Sequence, residues 1–549
     1  MAWLSGLDGR VARSGVIILP PIGYPYWSAH RTLRTLAEGL AAKGHLALRL
    51  DYDGLGDSAG GQWESKRLAR WRASAEIAAA ELARLGCAEL TLIGVRLGAT
   101  IALLDGAALG ATKVVAWAPV ASGRRFVKET RLLSAPVPED FLPDNVEEAI
   151  VAAGTVFTAS TLKEIGELDL TSSPPAPVPR TMLVDRAPLD ALARRLLESG
   201  SQVEQLTMGG GESALETPTE YATVPEAIVH GILDWMTNEA LANGDDPSGP
   251  ASTETPVRDD EIQARTSTQI AFEGTMLQEQ ILRLGPSKLI GVMTERVDLG
   301  DGRTVIVFLN SGSETHVGPG RAWVEYARAL ASAGHRCLRT DFRGWGESPD
   351  DGHAPGRPYD PHSVADAIAI VQALRELGER RIVLVGLCAS AWVALRAILS
   401  EPVTGVIALN PQLYWQPGDP VEATMQETRL RRASERHREE MGRRVGLWTL
   451  LDILGRRPWA AKWMDDISRG STPVLFAFAA GDDGIEFLRN RLSRRLRLAL
   501  RSGRLSVLEM PEIDHSMHRV WLRPSVVHMI DRQVRFFADR KPGRSGSGT

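Results

Sequence analysis

The 549-residue sequence contains only three cysteines, and none of them stands in a CxxC pair. Such a set cannot build a disulfide framework or a four-ligand zinc site, and it fits a reducing compartment. No stretch reaches the roughly 18 consecutive apolar residues of a membrane span. The first residues also lack the basic and apolar regions of a signal peptide. We therefore expect a cytoplasmic protein with no metal, no other cofactor and no membrane span.

The chain also has only a small excess of charge of one sign. The formal net charge is −5 and the pI is near 6.2, so the chain has no overall basic field and nucleic acid is not an expected partner. Phosphate-binding glycine loops are missing too, because there is no P-loop and Gly54-x-Gly56 lacks the third glycine of a dinucleotide fingerprint. At this length the chain exceeds what one hydrophobic core usually supports, which favours two domains.

Two stretches of the sequence repeat one another. HLALRLDYDGLGDS begins at His45 and HRCLRTDFRGWGES begins at His335, with His, Arg, Asp, two Gly and Ser in the same places. The register continues downstream to within two residues, where Arg96 corresponds to Cys388. Each copy alternates apolar strands with helical patterns. The sequence therefore predicts an α/β fold with two tandem domains, each a mostly parallel sheet flanked by helices.

Composition sets the predicted boundaries. A Pro-, Gly- and Ser-rich linker separates the copies, and a similar polar stretch ends the chain; neither can bury much apolar surface. Each copy also carries an insertion after a central strand, from about Ser122 to Val178 and from about Val421 to Arg469, and we expect each to form a helical lid. The predicted regions are a first domain at 1–240, a flexible linker at 241–262, a second domain at 263–540 and a disordered tail at 541–549.

The second copy has a strand, a sharp turn and a helix around Val385-Gly386-Leu387-Cys388-Ala389-Ser390. Small residues beside a nucleophile let such a turn lift the side chain above the sheet edge. The usual pattern is G-x-S-x-G, whereas here Cys388 replaces the serine and Ser390 replaces the second glycine. A buried, chemically inert cysteine is the alternative interpretation.

A nucleophile of this kind needs a base and a third group that orients the base. The chain order in this arrangement is nucleophile, acid, histidine. Asp482 follows the predicted strand that ends at Phe478, and His515 follows the predicted strand at 505–508. Asp483 and His518 are the rival acid and base.

With these residues in order, the sequence resembles the α/β-hydrolase superfamily. More narrowly, it is similar to tandem bacterial hydrolases related to exosortase-associated and acyl-transfer enzymes. The resemblance also rests on the Asp-x-x-Gly-x-Gly-x-Ser stretch at 341–348 and on the segment at 310–321, and it covers both copies. It implies that Cys388 is the nucleophile, that His515 is the general base and that Asp482 orients it.

Backbone N–H groups are expected to form the oxyanion hole. One belongs to Ala389, directly after the nucleophile. The second comes from the loop after Leu309, where we favour Gly312 and Ser313, with Ser311 as a further candidate.

Two side chains are candidates for substrate binding. His316 lies in the loop after Leu309 and either lines the pocket or is a loop histidine bonded to backbone. Trp392 lies in the helix after the elbow. An Arg-rich stretch at 429–457 either forms a solvated helix with i,i+4 ion pairs or docks an acidic carrier protein or a CoA phosphate.

The first copy is expected to be catalytically inactive. Its elbow carries Arg96, a permanent cation that cannot act as a nucleophile. No histidine follows Leu206 where the base is required, although Asp185 keeps the acid position. Arg96 either binds an anionic group or forms a salt bridge with Asp185.

The predicted reaction is acyl transfer from an ester, CoA or carrier-protein thioester to a small-molecule acceptor, through an acyl-Cys388 intermediate. A thioester intermediate favours transfer because amines and thiols attack it readily. Hydrolysis, as in a thioesterase or esterase, is the first alternative. A non-catalytic binding or scaffold protein is the second, and the presence of both Asp482 and His515 argues against it.

Overall fold

A computed structural model describes residues 1–6, 14–242, 266–300, 303–350, 352, 359–413 and 459–540. The chain forms two compact units, Met1–Arg265 and Thr266–Thr549. Three sequence predictions fall outside the described residues: the linker from 243 onward, the tail at 541–549 and the second lid up to residue 458, which includes the Arg-rich stretch.

The N-terminal unit contains a seven-stranded sheet. The strands of this unit, seven of which form that sheet, are β1 (Ala2–Ser5), β2 (Ser14–Leu19), β3 (Leu46–Leu50), β4 (Glu89–Val95), β5 (Lys113–Trp117), β6 (Ala135–Pro136), β7 (Ala149–Ala152), β8 (Thr155–Thr158), β9 (Arg180–Asp185) and β10 (Gln202–Thr207). The sheet order is β1-β3-β2-β4-β5-β9-β10, and only β1 pairs antiparallel. The first predicted insertion is not wholly helical as expected, because strands β6, β7 and β8 form a separate antiparallel sheet inside it.

The helices of the N-terminal unit connect these strands. They are α1 (Tyr24–Ala42), α2 (Arg67–Arg84), α3 (Leu97–Asp105), α4 (Gly123–Leu132), α5 (Ala159–Gly166), α6 (Asp190–Glu198), α7 (Glu212–Leu215) and α8 (Glu226–Ala242). The periodicity predicts a helix from Ala29, whereas α1 begins earlier. Pro25 lies in its first turn, where a missing N–H costs nothing.

The C-terminal unit contains a nine-stranded sheet. Its strands are β11 (Ser267–Phe272), β12 (Thr275–Leu284), β13 (Leu289–Arg296), β14 (Val305–Phe308), β15 (Arg336–Thr340), β16 (Ile382–Leu387), β17 (Gly405–Leu409), β18 (Val474–Ala479) and β19 (Leu505–Met510). The order is β11-β12-β13-β15-β14-β16-β17-β18-β19. Strands β11, β12 and β13 run antiparallel, and the six strands from β15 to β19 are parallel.

Helices cover both faces of this sheet. They are α9 (Ala322–Ser332), α10 (Pro361–Glu376), α11 (Ala389–Ala397), α12 (Trp459–Arg469), α13 (Asp483–Arg491), α14 (Ser493–Arg501) and α15 (Arg523–Asp539). Strand β14 is buried along its whole length, and its side chains alternate between two cores. One core contains residues of α10 and α11, and the other contains residues of α9 and α15. The predicted α/β class, with sheets flanked by helices, is confirmed.

A buried ion cluster joins the antiparallel part of this sheet to α9. Glu279 of β12 accepts hydrogen bonds from Arg328 at 2.9 and 3.1 Å and from Arg339 at 3.2 Å. Thr294 of β13 donates a further bond to the same carboxylate at 3.1 Å. All four side chains are buried, so one carboxylate balances two guanidinium groups that water does not reach.

Replacing Glu279 with alanine is expected to destabilise the C-terminal unit strongly. The change leaves Arg328 and Arg339 buried without their carboxylate, a situation that costs about 3–5 kcal/mol. Chemical denaturation of Glu279→Ala should therefore show a markedly lower midpoint, whereas Gln280→Ala, on the exposed side of β12, serves as the matched control. Equal midpoints for the two variants would contradict this account.

Candidate active site

Cys388 lies between the end of β16 and the start of α11, in a strained backbone conformation. Its φ is 55° and its ψ is −109°, a region that non-glycine residues seldom occupy. The Cys388 N–H donates to Leu409 O of β17 at 2.9 Å, which fixes the turn to the sheet. Gly386 has no room for a side chain, because a Cβ there would lie 2.4 Å from Ser390 O. The strand, turn and helix predicted around Cys388 are therefore present.

Ser390 closes this turn in place of the usual second glycine. Its hydroxyl donates to Leu387 O at 3.1 Å and accepts from Leu387 N–H at 3.0 Å. In the N-terminal elbow the corresponding residue is Gly98. No side chain fits there, since a Cβ would lie 2.3 Å from Leu19 O. The C-terminal elbow thus accommodates a side chain at this position by bonding it back to its own turn.

Asp482 and His515 come together beside this elbow. Asp482 caps α13, and its Oδ1 accepts from Gly484 N–H at 2.8 Å. Its Oδ2 lies 2.5 Å from Nδ1 of His515, and the carboxylate is only 2% exposed. The helix cap therefore fixes one carboxylate oxygen and directs the other to the imidazole.

The rival histidine has a different environment. The His518 N–H donates to Asp514 Oδ2 at 3.0 Å, and burial lowers the pKa of its imidazole. The imidazole that contacts Asp482 is that of His515, as the chain order predicts.

Two neighbours control the ionisation of His515. Burial lowers its pKa, but hydrogen bonds to Asp482 and to Cys388, together with the attraction of both groups, raise the pKa to about 10. The imidazole is therefore protonated at neutral pH. Both ring nitrogens of His515 can therefore donate hydrogen bonds at neutral pH.

Stability should depend on pH through this histidine. Because the folded pKa of about 10 exceeds the ordinary value of 6.5, the native state holds the extra proton between these values. Its stabilising contribution is complete below about pH 6.5 and is lost as pH rises toward 10. Thermal unfolding between pH 7 and 9.5 should show a steeper fall of Tm in the wild type than in His515→Gln.

The side chain of His515 is 37% exposed, so solvent screening keeps this effect small. His362→Gln removes an exposed imidazole from the same unit and is the matched control. A wild-type slope that matches the His515→Gln slope would count against a proton held by His515.

Tyr359 is a neighbour of the sulfur that the sequence does not reveal. Its hydroxyl lies 3.5 Å from Cys388 Sγ and donates to Gln412 Oε1 at 2.9 Å. Its ring packs edge-to-face on Trp392, with ring centres 5.8 Å apart. The only signal in the sequence is the Asp360-Pro361 helix start just after it.

The loop after β14 holds the predicted oxyanion residues. Gly312 has φ 55°, and a Cβ there would meet nothing within 4 Å. Ser313 is buried, and its hydroxyl has no hydrogen-bond partner within the described residues. Asn310 braces the loop, because its Nδ2 donates to Glu314 O at 2.9 Å and its Oδ1 accepts from Phe342 N–H at 2.7 Å. Ala389 begins α11, where the first N–H groups of a helix have no partner inside it.

The two predicted substrate-binding side chains are both buried. His316 Nδ1 lies 2.6 Å from Asp341 Oδ2, and its N–H donates to Asp341 Oδ1 at 2.6 Å. This placement resembles the structural alternative given for His316, with a carboxylate as the partner of the ring. Trp392 lies in the core, where the Arg396 guanidinium stacks over it at 4.9 Å.

The N-terminal unit has an elbow of the same shape. Arg96 has φ 55° and ψ −120°, and its N–H donates to Trp117 O at 2.9 Å. Its guanidinium lies 3.9 Å from Glu129 of α4. The prediction that Arg96 pairs with Asp185 is wrong, because its acidic partner is Glu129 of α4. The Asp185 carboxylate instead accepts a hydrogen bond from Arg186 N–H at 2.6 Å.

The described ranges hold neither a cluster of metal-ligating side chains nor a membrane-spanning helix. No three His, Cys, Asp or Glu side chains there come together as metal ligands would. Of the helices that the structure describes, none is both long and apolar enough to cross a membrane.

Comparison with protein families matches residues 306–544 to the model of the alpha/beta hydrolase family. The matched region contains Cys388, Asp482 and His515. No curated protein matches the chain. The family match supports the predicted α/β-hydrolase superfamily for this part of the chain, and the narrower resemblance to exosortase-associated enzymes stays a prediction.

Several solved structures are similar to part of the chain. Est1E from Butyrivibrio proteoclasticus, with ferulic acid bound, is 15% identical with a TM-score of 0.33, and the match covers 44% of this chain and 95% of that one. A CIB-like hydrolase from Thermoplasma acidophilum is 15% identical with a TM-score of 0.32, covering 48% and 100%. An alpha/beta serine hydrolase without a lid from Xanthomonas campestris is 15% identical with a TM-score of 0.30, covering 51% and 99%.

Proposed function

We propose that the C-terminal unit cleaves an ester or thioester through an acyl-enzyme on Cys388, with His515 and Asp482 as its partners. The observation that carries this proposal is the hydrogen-bonded series from Asp482 through His515 to Cys388, placed on a strained elbow. A decayed site would have no reason to keep all three groups in contact. The acyl donor is a small ester or a thioester of CoA or of an acyl carrier protein.

In the first step the Cys388 sulfur attacks the carbonyl carbon of the donor, starting from a thiolate paired with protonated His515. The carbonyl oxygen becomes an oxyanion, which the N–H of Ala389 and an N–H of the Gly312–Ser313 loop stabilise. His515 then gives its proton to the departing alcohol or thiol, and the bond between the carbonyl carbon and the leaving atom breaks. An acyl-Cys388 thioester and a neutral imidazole remain.

In the second step the neutral His515 acts as the general base. It takes a proton from the incoming nucleophile, which attacks the acyl carbon and releases the Cys388 sulfur. With water as the nucleophile the product is a carboxylic acid, and the match to a hydrolase family supports this outcome. The partial exposure of the His515 side chain is consistent with access of water to this position.

Acyl transfer is the second candidate, and the cysteine itself favours it. A serine nucleophile would form an ester, which is less reactive toward amines and thiols than the thioester formed on Cys388. The acceptor would then be a small amine, alcohol or thiol in place of water.

The test is a burst experiment with p-nitrophenyl butyrate and butyryl-CoA. We expect a rapid release of about one p-nitrophenol per chain, and a butyryl group on the Cys388 peptide by mass spectrometry. Adding hydroxylamine, an alcohol or a thiol to the isolated acyl-enzyme separates the two candidates. Faster decay with capture of the added nucleophile indicates transfer, and decay to butyrate alone indicates hydrolysis.

The same experiment can reject the proposal. A butyryl group found only on Cys87 or Cys337, or no group at all with either donor, would favour the non-catalytic alternative.

A further inference from the structure

Asn410 occupies a strained position at the end of β17, the strand next to the elbow. Its φ is 46°, and its side chain is fully buried. Asparagine tolerates this left-handed conformation better than most residues, but its side chain must still find partners when it is buried.

The side chain of Asn410 joins the acid loop to the histidine loop. Its Oδ1 accepts from Ala479 N–H at 2.7 Å, at the end of the strand that leads to Asp482. Its Nδ2 donates to His515 O at 2.9 Å. One amide group therefore fixes the main chain of His515 relative to the strand that supplies its carboxylate.

The N-terminal unit provides an internal comparison. Ala118 stands at the same offset from Asn410 as Arg96 does from Cys388. Its φ is 49°, and its N–H donates to Val184 O at 2.7 Å, just as the Asn410 N–H donates to Ala477 O at 2.8 Å. The backbone at this place is therefore formed without an amide side chain, in the unit that also has no histidine in the loop directly after its last strand, β10.

We propose that Asn410 is a positioning residue that holds His515 in register with Asp482 and so acts on Cys388 through the imidazole. This inference rests on the proposed function of the site. The side chain is not required by the fold, because the equivalent strand end in the N-terminal unit carries alanine. It is required where a histidine main chain must be held at a fixed distance from the acid strand.

The experiment measures carbamidomethylation of Cys388 by iodoacetamide between pH 5 and 10, followed on the Cys388 peptide by mass spectrometry. Asn410→Gly removes both side-chain bonds, while glycine adopts the positive φ without strain. We expect the rate at pH 7 to fall about tenfold, since two hydrogen bonds that orient the base are lost. The dependence of the rate on pH should also change, because a misplaced imidazolium no longer pairs with the sulfur.

Asn410→Asp tests the two side-chain hydrogen bonds of Asn410 separately. The carboxylate keeps an acceptor for Ala479 N–H, but it replaces the donor to His515 O with an oxygen that repels that carbonyl. We expect the same loss of rate at pH 7 as in the glycine variant. Ala118→Gly is the matched control, because it changes the same strand end in the unit without a base, and it should leave the profile of Cys388 unchanged.

Three results would overturn the inference, and they differ in what else they reject. If both Asn410 variants keep the pH profile and the rate of the wild type, the role of Asn410 is rejected but the proposed function is not. A wild-type Cys388 that reacts no faster than Cys388 in His515→Gln would reject the proposed function and this inference with it. A purely structural role would lower Tm without changing the shape of the pH profile, and that result would also overturn the inference.

Discussion

Cys388→Ala is expected to abolish acyl-enzyme formation completely. The variant removes the sulfur of the proposed thioester while leaving the elbow in place, since Ala118 and Ala153 show that this chain accommodates alanine at positive φ. Mass spectrometry after incubation with p-nitrophenyl butyrate should show no butyryl group on any peptide of the C-terminal unit. The burst of p-nitrophenol should disappear with it.

Cys388→Ser is the informative companion to this variant. A serine hydroxyl must lose its proton during attack, and Asp482 still raises the pKa of His515 in this variant, although the contribution of the Cys388 sulfur is gone. We expect the serine variant to be far slower than the wild type at pH 7 and to gain activity as pH rises, because more of the imidazole is then neutral and able to accept that proton. Labelling that survives Cys388→Ala would reject the nucleophile assignment, whatever the serine variant does.

Asp482→Asn is expected to lower the rate of acyl-enzyme formation by about 10⁴-fold, the size of effect seen when the orienting acid of a triad becomes an amide. The amide still caps α13 through its Oδ1, so the fold should persist. What it loses is the negative charge 2.5 Å from His515 Nδ1, which holds the imidazole in position and helps to keep it protonated. Stopped-flow measurement of the p-nitrophenol burst gives this rate directly.

Asp483→Asn is the matched control for that measurement. Asp483 is the rival acid and is the next residue in the chain, in the first turn of the same helix. Its replacement should change the burst rate little. A large loss of burst rate in Asp483→Asn, together with a normal burst rate in Asp482→Asn, would show that Asp483 and not Asp482 orients His515.

Much of this site follows from sequence because it depends on chain order. Strands β16, β18 and β19 are short apolar runs, and in a parallel sheet the residues after such strands meet at one edge. Cys388, Asp482 and His515 each follow one of these strands, so their proximity is predictable without coordinates. The internal repeat adds the second elbow at Arg96 for the same reason.

Other features depend on tertiary packing that no local pattern records. Tyr359 reaches Cys388 from a loop that carries no motif, and Asn410 bridges residues that are far apart in sequence. The antiparallel strands β11, β12 and β13 were also not predicted. Strand β12 places the charged Glu279 on its buried side, where an alternating pattern requires an apolar residue, because two arginines from elsewhere compensate it.

The two elbows share one backbone conformation and differ in the residue that it presents. Arg96 and Cys388 have the same φ and similar ψ, and each is anchored by its N–H to the neighbouring strand. The strained dihedral angles therefore come from the joining of strand to helix, and they persist with a side chain that cannot attack a carbonyl. The turn itself is therefore independent of the chemistry of the residue it presents, since one backbone conformation carries a guanidinium in the first unit and a sulfur in the second.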